Sequence, residues 1–288
     1  MTVLGIGRAC GGFSLLHAAG CGYGSSVPFK LGTTVMLTDT PSPLDEDESN
    51  LLSILLEAWK AKDLPIPEGE LGWEVRSDIP IGMGLKSSSA LLTAAKRALQ
   101  DATKHFLSAA LSYSIISAVQ LRAGVSMTSA VDDIVMAGDW ATVWLVDATD
   151  VDDPHREVIE MPMKEIFIII RNQSKGEIRA SDFSALRPRF EEVVRLLQRG
   201  QPIEAFRLNG HLVAKALGDE EANALCEEIE IRTGCPASIT GSGPAIVVLA
   251  DPVESNSVEA FLNSLDLQWM RTRMSTDEKI EVVRQPWE

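Results

Sequence analysis

Apolar residues recur at helical spacing over residues 46–62, where Leu51, Leu52, Leu55, Leu56 and Trp59 share one face and predict a surface helix. The run 32–40 is β-like, and 71–79 alternates as a strand. A helix is expected over 85–106, entered through a glycine- and serine-rich turn, and a second over 107–122. A short strand at 142–147 closes the first half. The charged, proline-containing stretch 150–162 breaks the pattern before the β-branched block 166–170. Helical segments then follow at 188–199, 202–217 and 219–233, with strand-like runs at 245–249 and 279–284. No segment repeats at a fixed period. The pattern predicts an α+β protein in two lobes, residues 1–155 and 156–288, with a cleft between them.

Composition narrows the class. The chain has 288 residues, 45% hydrophobic and 23% charged, which is enough apolar material for a sizeable core. A formal net charge of −15 argues against a nucleic-acid binder, because phosphate backbones are held by clustered Lys and Arg. An anionic nucleotide would need local donors and a metal. Cys10, Cys21, Cys226 and Cys235 lie far apart without zinc-like spacing and read as reduced thiols. His17, His105, His155 and His211 form no zinc or triad spacing. The opening residues lack a secretory pattern and no run approaches the roughly 20 apolar residues of a membrane helix, so a cytoplasmic protein is expected. Residues 5–24 carry glycine at seven positions, which suggests tight turns or backbone lying close to a ligand.

The segment Pro80, Ile81, Gly82, Met83, Gly84, Leu85, Lys86, Ser87, Ser88, Ser89 and Ala90 lies between a predicted strand and a predicted helix. The first amides of a helix have no internal partners and the macrodipole is positive there, so an anion docks favourably. Two glycines permit close backbone approach, the serines offer hydroxyls to phosphate or Mg2+, and Lys86 adds a cation. The competing reading is that the serines cap the helix. Two standard fingerprints fail: Leu85 precedes Lys86 where a P-loop has glycine, and no third glycine follows at dinucleotide-loop spacing.

The string PIGMGLKSSSA is similar to the PxxxGLGSSAA motif of the GHMP kinases (galactokinase, homoserine kinase, mevalonate kinase and relatives), and GLKSSSA most resembles their archaeal-type shikimate kinase branch. GRACGGFSLLHAAGCGYGSSVPFKL, SAVDDIVMAGDW and ITGSGPAIVVLA resemble the family's other motifs in the expected order. The departures are Lys86 for a glycine of the wider superfamily, His17 for an asparagine, and Gly138-Asp139 for a double glycine. The resemblance implies a ribosomal S5 domain 2-like N-terminal lobe, a ferredoxin-like C-terminal lobe, ATP and Mg2+.

Asp132 and Asp133 enter an apolar helix, where two acids also serve as an ordinary N-terminal charge pair. The resemblance implies a catalytic Asp132, as base or alcohol-orienting group. It implies Ser88 at the metal, with Asp133 supporting or metal-associated, and no counterpart near Gln120 for the glutamate that some relatives supply. Gly241-Ser242-Gly243-Pro244 reads as a tight turn, and the resemblance places it near the cleft. Shikimate carries a carboxylate, for which Arg8, Lys30 and Arg179 are candidates. The expected activity is ATP-dependent phosphorylation of the shikimate 3-hydroxyl. The alternatives are another kinase of the superfamily, such as a homoserine kinase, and a non-catalytic metabolite sensor.

Overall fold

The structure, a computed structural model, describes residues 1–41, 49–171, 173 and 178–275. Its frame is a long antiparallel ribbon of β1 (Val3–Leu16) and β2 (Tyr23–Thr38), whose register shifts three times. The C-terminal half of β2 also pairs with β3 (Gly72–Ser77), and its N-terminal end pairs with β4 (Trp144–Asp147), which carries β5 (Arg156–Val158). Helices α1 (Leu51–Lys60), α2 (Ser87–Thr103), α3 (Ala109–Arg122) and α4 (Val131–Gly138) belong to this half. The second sheet, in the order β7 (Ala237–Ile239), β8 (Ile246–Ala250), β6 (Glu165–Ile170) and β9 (Gln268–Arg273), is antiparallel throughout. It is accompanied by α5 (Ala180–Ser184), α6 (Arg187–Gln198), α7 (Pro202–Leu217), α8 (Glu220–Thr233) and α9 (Ser255–Leu262). The α+β class follows, and one continuous apolar core runs beneath both sheets.

The glycine-dense opening is a correction. Residues 5–16 are strand, not turns. A Cβ on Gly5 would lie 2.3 Å from the Ala98 carbonyl oxygen and one on Gly7 1.9 Å from that of Ala94. Bare backbone therefore lets α2 lie directly on β1, a contact any side chain would forbid. The division expected at 155/156 falls just before β5, whose pairing with β4 keeps it in the first sheet; the sheets part between Val158 and Glu165. The strand expected at 279–284 and residues 46–48 of the first expected helix lie outside the described residues. Cys10, Cys21 and Cys235 are buried free thiols and Cys226 is half-buried. Burial pushes the Cys10 thiol up to about 12. Among the described residues, no helix is long and apolar enough to cross a membrane.

Candidate active site

The turn between β3 and α2 contains three left-handed residues: Gly82 (φ 73°), Gly84 (φ 74°) and Lys86 (φ 66°). The first two are explained by glycine's freedom, whereas Lys86 holds a conformation that costs a side-chain residue about 1–2 kcal/mol. Gly84 has a second reason to be glycine, since a Cβ there would lie 2.2 Å from the Thr240 carbonyl oxygen. The turn is braced from behind: Gly12 N–H donates to the Leu85 carbonyl (3.2 Å), and the Thr240 hydroxyl donates to that of Gly84 (3.3 Å).

The capping reading of the serines does not describe them. The N-cap of α2 is Lys86, which makes no side-chain capping bond. Ser88 Oγ instead donates to Gln120 Oε1 (3.1 Å), and Ser89 exchanges hydrogen bonds with the same amide, 1% exposed on α3. The first-turn amides of α2 are thus left without a side-chain cap, which is the arrangement that receives an anion.

Ile81, Gly82, Gly84, Lys86, Ser87 and Ser88 line a cleft of about 760 Å3. The other named loop residues do not: Leu85, Ser89 and Ala90 are buried, Met83 packs against the core, and Pro80 is half-buried ahead of the turn. Asp132, Asp133, Gln120, Gly241 and Ser242 share the cleft, so the ordered motifs converge on one volume. Leu51, Val75, Leu91, Val125 and Met127 give it apolar wall, suited to a flat ring.

Asp132 and Asp133 open α4 after Ala130, itself left-handed. Their environments differ sharply. Asp133 is held by Lys86 Nζ, 2.9 Å from Oδ1 and 3.1 Å from Oδ2, and accepts from Ser26 Oγ at 2.9 Å. Asp132 is 4% exposed, and its Oδ1 has no hydrogen-bond partner among the described residues. Burial, and next the charge of Asp133, push its carboxyl up to about 8, against the opposing pull of Lys86. Gly24 on β2 makes room for it, because a Cβ there would lie 2.2 Å from Asp132 Oδ2. In its ionised form, a buried carboxylate with an unsatisfied oxygen, lining the same cleft as an uncapped helix end, can take a proton from an incoming hydroxyl.

Of the basic candidates, Arg8 and Lys30 do not line the cleft, and Arg179 follows directly on Ile178, which does. Arg97, on α2, donates to the Arg8 carbonyl at 2.6 Å, a structural tie. No group of three or more His, Cys, Asp or Glu able to hold a metal occurs among the described residues. Ser88 and Asp133 are hard oxygen donors on the same cleft, which fits Mg2+, an ion that keeps water and phosphate oxygens for its remaining positions. Sequence reasoning missed Gly24, Ser26 and Thr240. Each acts on a residue more than a hundred positions away in the chain, and no local signal marks such contacts.

An α+β chain of two antiparallel sheets, with an uncapped helix end and a buried aspartate on the walls of one cleft, has the build of a GHMP-type small-molecule kinase. The family model described as "GHMP kinases N terminal domain" matches residues 50–138. A shikimate kinase of Thermococcus kodakarensis is 30% identical over 191 residues, spanning 65% of this chain and 68% of that protein. One from Pyrococcus abyssi is 27% identical over 270 residues, 87% of this chain and 93% of the relative. Among solved structures, a phosphotransferase related to the CoA biosynthesis pathway superposes with TM-score 0.74 at 14% identity, over 94% of this chain and 97% of the other. The chain belongs to the archaeal-type shikimate kinases of the GHMP kinase superfamily. It is an ATP-dependent kinase that transfers phosphate to an alcohol.

Proposed function

We propose that the alcohol is shikimate and that the reaction gives shikimate 3-phosphate and ADP. The observation that carries this reading is the shared cleft of the uncapped α2 end and buried Asp132, together with the shikimate kinases to which the chain is similar. The first-turn amides of α2 and Lys86 hold the phosphates. Asp132 orients the 3-hydroxyl and accepts its proton as the oxygen bonds to the γ-phosphorus and the bond from that phosphorus to ADP breaks. Ser88 and Asp133 would hold Mg2+, which, when bound with the nucleotide, neutralises charge on the transferring phosphoryl group. Lys86, paired to Asp133, keeps a cation beside the phosphates without a lone buried charge.

The test offers the purified protein Mg-ATP with shikimate, homoserine, mevalonate and galactose in parallel and measures ADP release. Shikimate alone is expected to be turned over well above background. Turnover of another of these alcohols in its place would refute the substrate while leaving the kinase class intact.

A further inference from the structure

Helix α4 carries Asp132 and Asp133 in its first turn, and Gly138, its last residue, does not line the cleft. The last four carbonyls of a helix have no partner within it. In α4 each has a donor: Asp139 N–H gives to Val135 (2.9 Å), Cys10 Sγ to Met136 (3.6 Å), Trp140 Nε1 to Ala137 (2.9 Å) and Arg97 Nη2 to Gly138 (2.7 Å). Two of these donors, Cys10 on β1 and Arg97 on α2, come from other elements.

Arg97 does more than cap. Its other branch, Nη1, donates to the Arg8 carbonyl on β1 at 2.6 Å, and the guanidinium carbon lies 5.7 Å from the centroid of the Trp140 ring. The side chain leaves α2 where the helix rests on bare β1, since a Cβ on Gly7 would lie 2.7 Å from the Arg97 Cβ. A planar fork with fixed N–H directions holds two carbonyls at a set separation, and its charge suits a helix C-terminus. Arg97 thereby joins α2, α4 and β1 at one point.

The consequence falls at the opposite ends of the same two helices. Ser87 lies ten residues before Arg97 on α2, about 15 Å at 1.5 Å per residue, and Asp132 six before Gly138 on α4, about 9 Å. Ser87 and Asp132 both line the cleft, and Arg97 does not. The two helices are therefore tied twice, by Lys86 and Asp133 at the cleft and by Arg97 and Gly138 away from it. One tie lets a rod pivot, whereas two fix its line. In the reaction proposed above the near tie is shared with phosphate and metal, which leaves the far tie to keep the spacing during transfer.

We propose that Arg97 is a positioning residue for phosphoryl transfer: without touching either reactant, it sets the spacing between the Asp132 carboxylate and the first turn of α2. The inference rests on the roles given above to Asp132 and to that turn, and not on which alcohol is phosphorylated.

The experiment is steady-state kinetics and thermal unfolding of the wild type, Arg97→Lys and Arg97→Met, each also combined with Asp132→Asn. Val258→Ala, a truncation in the buried face of α9, serves as a control for loss of stability alone. Well below every Tm, Arg97→Met is expected to lower kcat about 10- to 100-fold, with the KM values for ATP and acceptor within about threefold of wild type. Arg97→Lys, which reaches one carbonyl at a time, should fall between, and Val258→Ala should lose Tm while keeping kcat within about twofold. In the Asp132→Asn background Arg97→Met should lower the rate by less than about threefold, because the geometry it spoils no longer serves a base. A kcat for Arg97→Met within twofold of wild type would overturn the proposal. So would an equal loss with and without Asp132, or an ATP KM that climbs in step with the fall in kcat. Full kcat in Asp132→Asn alone would remove the role of Asp132 and this proposal with it, whereas turnover of an alcohol other than shikimate would sink the substrate reading and leave the Arg97 comparison to be read on that alcohol.

Discussion

Replacing Asp132 by Asn should stabilise the protein, increasingly so as pH rises. The carboxyl goes from an ordinary 3.8 to about 8 on folding, mainly through burial. Between those values the folded state binds more protons than the unfolded one, so the Asp132 contribution to stability falls as pH rises through the window. At about 1.4 kcal/mol per pH unit, ionising the folded group costs on the order of 5 kcal/mol by the upper end. Asparagine has nearly the same shape and carries no charge, so it escapes that cost. Relaxation around the buried pair reduces it, and the advantage of Asp132→Asn should widen by roughly 2–4 kcal/mol between pH 5 and pH 8. Denaturant unfolding of both proteins at pH 5, 6.5 and 8 measures the gap. A gap that stays constant within about 0.5 kcal/mol, or a variant less stable than wild type at pH 8, would refute the reasoning.

The same variant should bind ATP within about threefold of wild type while kcat falls by roughly a hundredfold or more, the usual worth of a general base; nucleotide titration and steady-state rates separate the two. Gly24→Ala places a methyl 2.2 Å from Asp132 Oδ2, so the carboxyl must move, and kcat should drop about a hundredfold with ATP affinity little changed. Lys86→Met leaves Asp133 with Ser26 but without its cation; ATP affinity by calorimetry should weaken about tenfold or more, and its salt dependence should flatten. Ser88→Ala frees Gln120 Oε1 of one donor and should raise the Mg2+ concentration needed for half-maximal rate, while an unchanged metal titration would remove Ser88 from the metal site.

The parts of the fold that sequence made legible have strong local periodicity. Helices α6 and α7 lie within a residue of expectation, because Pro188 and Pro202 mark their first turns and apolar spacing fixes the buried face. The first half of β2 was not legible, since glycine and serine weaken the alternation that signals a strand, and what Gly24 achieves there is close approach to Asp132 on α4. Strand β7 is buried but only three residues long, and β9 is largely polar at the sheet margin, so neither carries an apolar run that marks a strand. In the site, the β3–α2 turn and Asp132 were singled out from motif order, and the structure brings them to one cleft. The opposed fates of Asp132 and Asp133 were not, because they depend on Gly24 and Ser26, more than a hundred residues earlier in the chain.

The bare stretch of β1 under α2 bears on any attempt to re-engineer the turn between β3 and α2. The Gly7–Ala94 contact lies seven residues along the helix from Ser87, about 10 Å at 1.5 Å per residue. The loop therefore inherits its height above the sheet from a rigid rod seated on naked peptide far from any ligand. A mutational library confined to the cleft would vary the chemistry of the loop while its elevation stayed constant. One methyl at Gly7 would tilt the rod and act, at a distance, as a change in the loop itself.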